Sequence, residues 1–259
     1  MKKYLADWVV SSNEKLHPNY CLLKLTQNAP LPDMFPGQFV EIMVENSSTT
    51  FLRRPISINY VDREKNELWL LIQIVGDGTR KLSELKEGNI VSLMYPLGNA
   101  FTILKRKNSK KLLLVGGGVG TAPMLFLGAE LKSMGHEPAF LLGARTSGDL
   151  LQLDMFRRFG IVYTTTEDGS FGEKGYVTDH TIMQQADFEM IYTCGPKPMM
   201  LAVAKYAKKH DIPCEVSLEN LMACGIGACL CCVENTIDGH IRACTEGPVI
   251  NIEKLTWQI

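Results

Sequence analysis

Short apolar runs, each followed by turn-forming residues, fill the first hundred residues of the chain. The runs at 38–44, 57–61 and 67–75 carry mostly aliphatic and aromatic side chains, and clusters rich in Gly, Pro, Asp and Asn separate them. Such runs predict short β-strands. Several in succession are typical of an antiparallel barrel or sandwich. We therefore predict an antiparallel β-barrel domain over residues 1–103, with a short helix at 78–84.

From residue 111 onward, apolar runs alternate with helical patterns. Residues 111–117 form a continuous apolar run, typical of a strand buried on both faces, and residues 123–135 have the pattern of a helix that ends in glycine. Further strands are predicted at 138–145, 160–168 and 189–195, and a further helix at 197–211. This βαβ series predicts a doubly wound parallel-sheet domain over residues 104–212.

Two segments lie outside that series. The basic stretch 105–111, KRKNSKK, is predicted to be a solvated connection between the two domains. Residues 213–259 combine short strands, turns and most of the cysteines, and we predict a small third module there.

Composition narrows the class of protein. The 259 residues are enough for about two domains. With 27 basic and 28 acidic residues the net charge is −1, so no broad basic surface for nucleic acid is expected. Asp7 interrupts the N-terminal apolar stretch, which argues against a secretory signal. The longest uncharged run, 112–129, holds five glycines and Pro123, which argues against a membrane span. We expect a cytoplasmic protein with reduced thiols and no membrane contact.

Five of the eight cysteines lie between Cys224 and Cys244. Four of them have the spacing C-x4-C-x2-C-x11-C: Cys224, Cys229, Cys232 and Cys244. A C-x4-C-x2-C run with a distant fourth cysteine is the plant-type ferredoxin arrangement for a 2Fe–2S cluster. Gly225 and Gly227 would let the loop turn its backbone N–H groups toward the sulfurs.

Other interpretations of the cysteines stay open. Zinc also accepts four thiolates, although its sites usually use two short C-x2-C pairs. A redox-active Cys229–Cys232 pair and four buried free thiols are further alternatives. Cys231 fits no cluster spacing and is expected to be a neighbouring thiol. Cys21 and Cys214 are expected to be apolar filler.

A glycine-rich string, VGGGVGTAPM, connects a predicted strand to a predicted helix. The loop 116–120 would let a diphosphate approach the backbone, and the helix start would offer free N–H donors. The string is not G-x-G-x-x-G, because Thr121 stands at the third position after Gly118, so a purely structural turn is equally compatible. The loops at 194–196 and 168–175 should lie at the same edge of the sheet.

The string FLRRPISI, 51–58, places two arginines and a serine at a strand end of the barrel half. Arginine makes charge-assisted hydrogen bonds to phosphate, and a serine hydroxyl can supplement them. By composition alone, a solvated arginine pair is the more common outcome.

The order of these features resembles the ferredoxin–NADP reductase superfamily. Within it, LRRPISI, GDGTRKLSEL, YPLGNAF, GGGVGTAPM, DGSFGEKGYV, CGPKPMM and SLENLMACGIGACLCC are similar to the electron-transfer subunits of class 1B dihydroorotate dehydrogenases. The resemblance runs from about residue 2 to Pro248. It differs at Asn220–Leu221, where an arginine is expected between Glu219 and Met222.

This resemblance implies cofactors and the residues that bind them. It implies FAD bound by Arg54, Pro55, Ile56 and Ser57, lined by Leu71, Ile72 and Gln73, with its diphosphate at Gly78 and Thr79. It implies NAD at Gly117, Gly118, Gly120, Thr121, Cys194, Gly195 and Pro196, and a 2Fe–2S cluster on Cys224, Cys229, Cys232 and Cys244. NAD is favoured over NADP by resemblance, although Arg145, Thr146 and Ser147 could meet a 2′-phosphate.

The resemblance also implies a partner: an FMN-containing catalytic subunit that oxidises dihydroorotate, in a heterotetramer with two copies of each chain, in pyrimidine biosynthesis. No catalytic acid–base residue is expected in this chain, since cofactors carry the chemistry. Two alternatives stay open. One is the reductase subunit of another complex, of the NADH-dependent ferredoxin:NADP oxidoreductase or sulfhydrogenase type. The other is a non-enzymatic binding module held together by zinc.

Overall fold

The N-terminal apolar runs fold into a closed six-stranded antiparallel barrel of order β1-β2-β5-β4-β3-β6, which confirms the predicted barrel. The protein is described here by a computed structural model that covers residues 2–104, 111–185 and 187–259. The barrel elements are β1 (Tyr4–His17), β2 (Tyr20–Thr26), β3 (Phe39–Ile42), β4 (Arg54–Asp62), β5 (Glu67–Gln73), helix α1 (Asp77–Ser83) and β6 (Ile90–Leu97).

Strand β5 is buried on both faces, which explains its unbroken apolar run. Leu68, Leu70 and Ile72 point into the barrel core. Leu71, on the opposite face, packs with Tyr20 against the second domain. A strand covered on both sides needs apolar residues at every position rather than at alternate ones.

The second half forms the predicted parallel sheet. Its seven strands have the order β10-β9-β8-β7-β11-β12-β15, and all neighbours are parallel except β12 and β15. The elements are β7 (Lys111–Gly117), α2 (Thr121–Ser133), β8 (Pro138–Ala144), α3 (Leu153–Phe159), β9 (Ile161–Thr166), β10 (Glu173–Lys174), β11 (Phe188–Cys194), α4 (Lys197–Lys209), β12 (Cys214–Ser217), β13 (Val233–Thr236), β14 (Gly239–Arg242) and β15 (Val249–Asn251).

The strand order reverses between β7 and β11. Strands β8, β9 and β10 extend the sheet on one side of β7, whereas β11, β12 and β15 extend it on the other. In open α/β sheets, ligands bind outside the carboxyl ends of the strands at such a switch point. The loops that follow β7 and β11 therefore border the expected crevice.

The C-terminal residues join the second sheet at both of their ends. Strands β12 and β15 lengthen that sheet, and between them lie the cysteine loop and the β13–β14 hairpin. The boundaries predicted at 103/104 and 212/213 stay predictions. All of the basic connection 105–111 except Lys111 lies outside the described residues.

Two amides, the buried Asn59 and the half-buried Gln152, tie the barrel to the second domain. The Asn59 Nδ2 donates to the Gln152 Oε1 at 3.2 Å, and the Gln152 Nε2 donates to the Asn59 Oδ1 at 3.0 Å. The Asn59 Nδ2 also donates to the carbonyl of Ala122, at 3.2 Å, in the first turn of α2. Strand β4, which begins at Arg54, is thereby held against the helix that follows the glycine loop.

None of the helices in the described ranges combines the length and the apolar character that crossing a bilayer requires. All eight cysteines are described, and each is a free thiol.

Candidate functional site

The cysteine loop brings four sulfurs together as two pairs. The side chains of Cys224 and Cys229 are hydrogen-bonded to each other. Those of Cys232 and Cys244 form the second pair, and the backbone N–H of Cys244 donates to the Cys232 Sγ at 3.4 Å. Cys232 and Cys244 are buried, whereas Cys229 is exposed. These are the four thiols that the spacing singles out.

Backbone N–H groups of the loop point at the sulfurs. Burial raises the pKa of the Cys224 thiol, but N–H groups of Ile226, Cys229 and Ala228 outweigh it and lower that pKa to about 6. Burial and the neighbouring Cys232 raise the pKa of Cys244 to about 12, although a hydrogen bond from the backbone N–H of Gly227 acts to lower it. The loop makes this turn through left-handed glycines, Gly225 at φ +66° and Gly227 at φ +84°.

The donor set fits two irons better than one zinc ion. Thiolates suit both, but the four sulfurs form two pairs. A 2Fe–2S cluster takes two thiolates at each iron, and the pairing matches that requirement. Cys231 is exposed and outside both pairs.

The barrel strand β4 opens on a half-exposed stretch, from Arg54 to Ser57, before its remaining residues become more buried. The Arg54 side chain lies beside Gly78, where an added Cβ would be 3.2 Å from the arginine Cδ. The Thr79 hydroxyl accepts from the backbone N–H of Gly76 and closes the turn that begins α1. The structure thus brings the arginine string and the 78–79 turn together, as a diphosphate cradle requires.

The predicted flavin-lining residues divide between two faces of β5. Leu71 and Gln73 lie on the outer face, where the Gln73 Nε2 donates to the Tyr20 hydroxyl at 3.1 Å. Ile72 points into the barrel core because side chains alternate along a strand, so only its backbone can face a ligand.

The glycine loop packs closely against the loop after β11. An added Cβ on Gly120 would lie 2.4 Å from the Cα of Gly195 and 2.5 Å from the carbonyl of Cys194, and one on Gly117 would lie 2.5 Å from the Met199 sulfur. Gly118 is the least crowded glycine of this loop, since its added Cβ would only reach van der Waals contact with the Tyr20 hydroxyl, at 3.9 Å. Gly117 and Gly120 therefore serve loop packing, and the half-buried backbone at Gly118 is left for a ligand.

The remaining predicted nucleotide-loop residues lie around this junction. The Thr121 hydroxyl donates to the carbonyl of Gly118 at 2.9 Å and fixes the turn into α2. Pro196 precedes α4. Cys194 is buried, its thiol is 3.9 Å from the Glu219 Oε1, and burial raises its pKa well above the usual range. A thiol held protonated in this way is no nucleophile.

The loops after β8 and β9 meet beside the crevice. The backbone N–H of Ser147 donates to the Ser170 hydroxyl at 2.8 Å. Thr146 donates to Asp149 at 3.0 Å, and Asp149 lies 4.0 Å from His17 of the barrel. Of the residues that could meet a 2′-phosphate, Thr146 therefore has its hydroxyl engaged with a carboxylate, and Ser147 binds a protein group through its backbone N–H.

Three residues near these sites were missed by sequence reasoning: Tyr20, Glu41 and Glu219. Tyr20 lies between Gln73 and Gly118. Glu41 packs against Gly225, and Glu219 lies beside Cys194. Their partners are far away in sequence. The only local sign is a carboxylate inside an apolar strand in the case of Glu41.

Comparison with known proteins agrees with this arrangement. Residues 219–256 match the family described as "Iron-sulfur cluster binding domain of dihydroorotate dehydrogenase B", and residues 114–205 match "Oxidoreductase NAD-binding domain".

Curated relatives extend the similarity to most of the chain. The chain is 36% identical over 251 residues, 95% of this chain and 96% of the relative, to a protein of Fusobacterium nucleatum subsp. nucleatum named "Dihydroorotate dehydrogenase B (NAD(+)), electron transfer subunit". It is 40% identical over 226 residues, 86% of this chain and 87% of the relative, to the protein of that name in Caldanaerobacter subterraneus subsp. tengcongensis.

Solved structures share the fold. A chain from a study of the NADH-dependent reduced ferredoxin-NADP oxidoreductase superposes with a TM-score of 0.86 at 29% identity, covering 97% of this chain and 90% of that chain. The ferredoxin reductase of carbazole 1,9a-dioxygenase superposes with a TM-score of 0.69 at 22% identity, covering 82% and 68%, and shows the fold alone.

The relatives have nearly the same length as this chain, and the barrel, the nucleotide sheet and the paired cysteines are consistent with their family. The chain therefore belongs to the family of dihydroorotate dehydrogenase B (NAD(+)) electron transfer subunits.

Proposed function

We propose that this chain passes electrons between NAD and an FMN-containing catalytic subunit that oxidises dihydroorotate. The observation that supports this best is the order of the sites. Strand β4 is joined on one side to α2, which follows the glycine loop, through Asn59 and Ala122. On the other side it pairs with β3, against which the cysteine loop packs at Gly225. A flavin on β4 would lie between nucleotide and cluster.

The electron-transfer chemistry belongs to the cofactors: FAD, when bound, would supply hydride exchange with the nicotinamide and single-electron exchange with the 2Fe–2S cluster. The protein supplies binding and orientation. Arg54 and the 78–79 turn would hold the flavin diphosphate, Leu71 and Gln73 would border the ring, and the loop around Gly118 would receive NAD. The four paired cysteines would ligate the cluster. No residue of this chain is assigned a proton transfer to dihydroorotate.

The catalytic subunit would dock beside the cysteine loop. Large apolar side chains are exposed there, with Leu221 at 85% and Leu230 at 61%, and Ile226 lies in the same loop. Such side chains near a redox centre are typical of a protein interface. Leu221 is one of the two positions where the sequence departs from the expected arginine. We propose a heterotetramer of two copies of each chain, in the cytoplasm, where the free thiols stay reduced.

Co-expression with a candidate catalytic subunit tests the proposal. The purified complex is expected to contain FAD, FMN, iron and sulfide, and to reduce NAD with dihydroorotate. If it carries flavin and cluster but reduces NAD only with ferredoxin or another donor, the chain serves a different complex, such as the ferredoxin–NADP type. A colourless protein that contains zinc would overturn both interpretations.

Arg54→Ala is expected to weaken FAD retention. The variant removes the guanidinium of a side chain whose aliphatic part lies beside Gly78, and one charged hydrogen bond contributes about 1.5–3 kcal/mol. That corresponds to roughly 10- to 150-fold in affinity. Flavin content after dialysis measures the effect, and iron content serves as the control because Arg54 is outside the cysteine pairs. Unchanged flavin occupancy would mean that the diphosphate binds elsewhere.

A further inference from the structure

Glu41 is a fully buried carboxylic acid in the barrel strand β3, with none of its surface exposed. Neither of its carboxylate oxygens has a hydrogen-bond partner among the described residues. Burying a carboxyl group without a partner is costly. A position that keeps one therefore needs an explanation from its surroundings.

The residues around Glu41 belong to two predicted cofactor sites, the FAD site on β4 and the cluster site in the cysteine loop. Within the barrel, Glu41 pairs with Pro55 of β4, next to Arg54. On its other side lies the cysteine loop: an added Cβ on Gly225 would be 2.6 Å from the Glu41 Cγ and 3.0 Å from its Oε1. Only a glycine at 225 leaves room for this side chain. Glu41 thus lies between strand β4, where the flavin is proposed to bind, and Gly225, the residue that follows Cys224.

The charges around Glu41 also come from both sites. Burial raises the pKa of its carboxyl to about 7, with Arg54 and Arg53 lowering it and Cys224 raising it. The Arg53 guanidinium is itself engaged, because it donates to the backbone carbonyl of Ser92 at 2.7 Å and to that of Glu41 at 3.3 Å. Glu41 therefore interacts electrostatically with the Arg54 end of β4 and with a predicted cluster ligand at once.

We propose that Glu41 is a positioning residue that seats the cysteine loop against β3 and places a buried negative charge beside the cluster. A negative charge close to an iron–sulfur cluster favours its oxidised form, and buried charges act more strongly than solvated ones. Glu41 thereby lowers the midpoint potential of the cluster relative to that of a protein with a neutral side chain. This inference rests on the proposed function, since it needs a cluster on the four cysteines.

The test is a redox titration of the cluster, followed by electron paramagnetic resonance, in the complete complex. Glu41→Gln keeps the size of the side chain and removes the charge. It is expected to move the cluster midpoint to a more positive potential, measured at about pH 8.5 so that the wild-type carboxyl is ionised. The matched control is Glu45→Gln, which removes the same charge from an exposed position shortly after β3 and is expected to leave the potential unchanged.

Each outcome decides the inference. An unchanged midpoint in Glu41→Gln with full iron content overturns it, as does an equal shift in Glu45→Gln. If Glu41→Gln loses iron, Glu41→Asp separates charge from packing: retention of the cluster in Asp supports the inference, and loss in both variants overturns it. Failure of the proposed function looks different, because the wild-type complex would then lack the cluster or not use dihydroorotate.

Discussion

Replacing Cys229 by serine is expected to abolish electron transfer to the catalytic subunit while NADH still reduces the flavin. Cys229 forms a pair with Cys224 at the exposed side of the loop. Serine oxygen is a poor ligand for iron that prefers soft thiolates. Three sulfurs cannot complete a four-thiolate cluster site, so the variant should lack iron and sulfide. The residues proposed to bind NAD and FAD, such as Gly118 and Arg54, lie outside this loop and stay intact.

Two assays separate these effects. Stopped-flow reduction of FAD by NADH should retain most of its wild-type rate, whereas dihydroorotate-dependent NAD reduction by the complex should fall to background. Cys231→Ser is the matched control, because this exposed thiol neighbours Cys232 but belongs to neither pair, and it should keep the cluster and both activities. A Cys229→Ser protein that keeps its cluster and loses hydride transfer would contradict this division of roles.

The fold class could be predicted because its signals are local. Continuous apolar runs such as 111–117 belong to strands covered on both faces, and turn residues mark the barrel strands. The cysteine pattern is equally local, since three of the four predicted ligands lie within nine residues. The spacing does not give their pairing, since Cys229 pairs in the structure with Cys224 and not with the nearer Cys232.

Residues that depend on distant partners could not be predicted. Glu41 lies between Val40 and Ile42, whose side chains fill the barrel core, so alternation alone would place it in solvent. The cysteine loop, more than 180 residues later in the chain, covers that face. Likewise, the joining of β12 and β15 to the nucleotide sheet is long-range pairing that no local pattern reports.

The roles of the glycines in the glycine loop also depend on residues that are distant in the sequence. Sequence reasoning leaves ligand approach and a structural turn equally open for its glycines, whereas the structure uses Gly117 and Gly120 to admit the loop after β11. Both explanations require glycine, so composition cannot separate them. The distances do, and they lead to a prediction that concerns Gly120 alone.

Gly120→Ala is expected to slow flavin reduction by NADH by on the order of 10²-fold, since a displacement of about 1 Å in a reacting geometry has an effect of that size. The new methyl group would lie 2.4–2.5 Å from backbone atoms of Cys194 and Gly195, which cannot rotate away as a side chain would. The two loops at the switch point must therefore separate, and both border the predicted nicotinamide site. Overpacking of this kind also costs about 1–3 kcal/mol of stability.

The measurement is the rate of FAD reduction at saturating NADH, with flavin and iron contents as internal controls. Both contents should match the wild type, because Arg54 and the cysteine pairs lie away from this junction. Thermal unfolding shows whether the fold survives, and the kinetics count only for variant protein that unfolds cooperatively. Wild-type reduction kinetics in such a protein would mean that NAD binds away from the β7–β11 switch point and that the glycine loop is a structural turn.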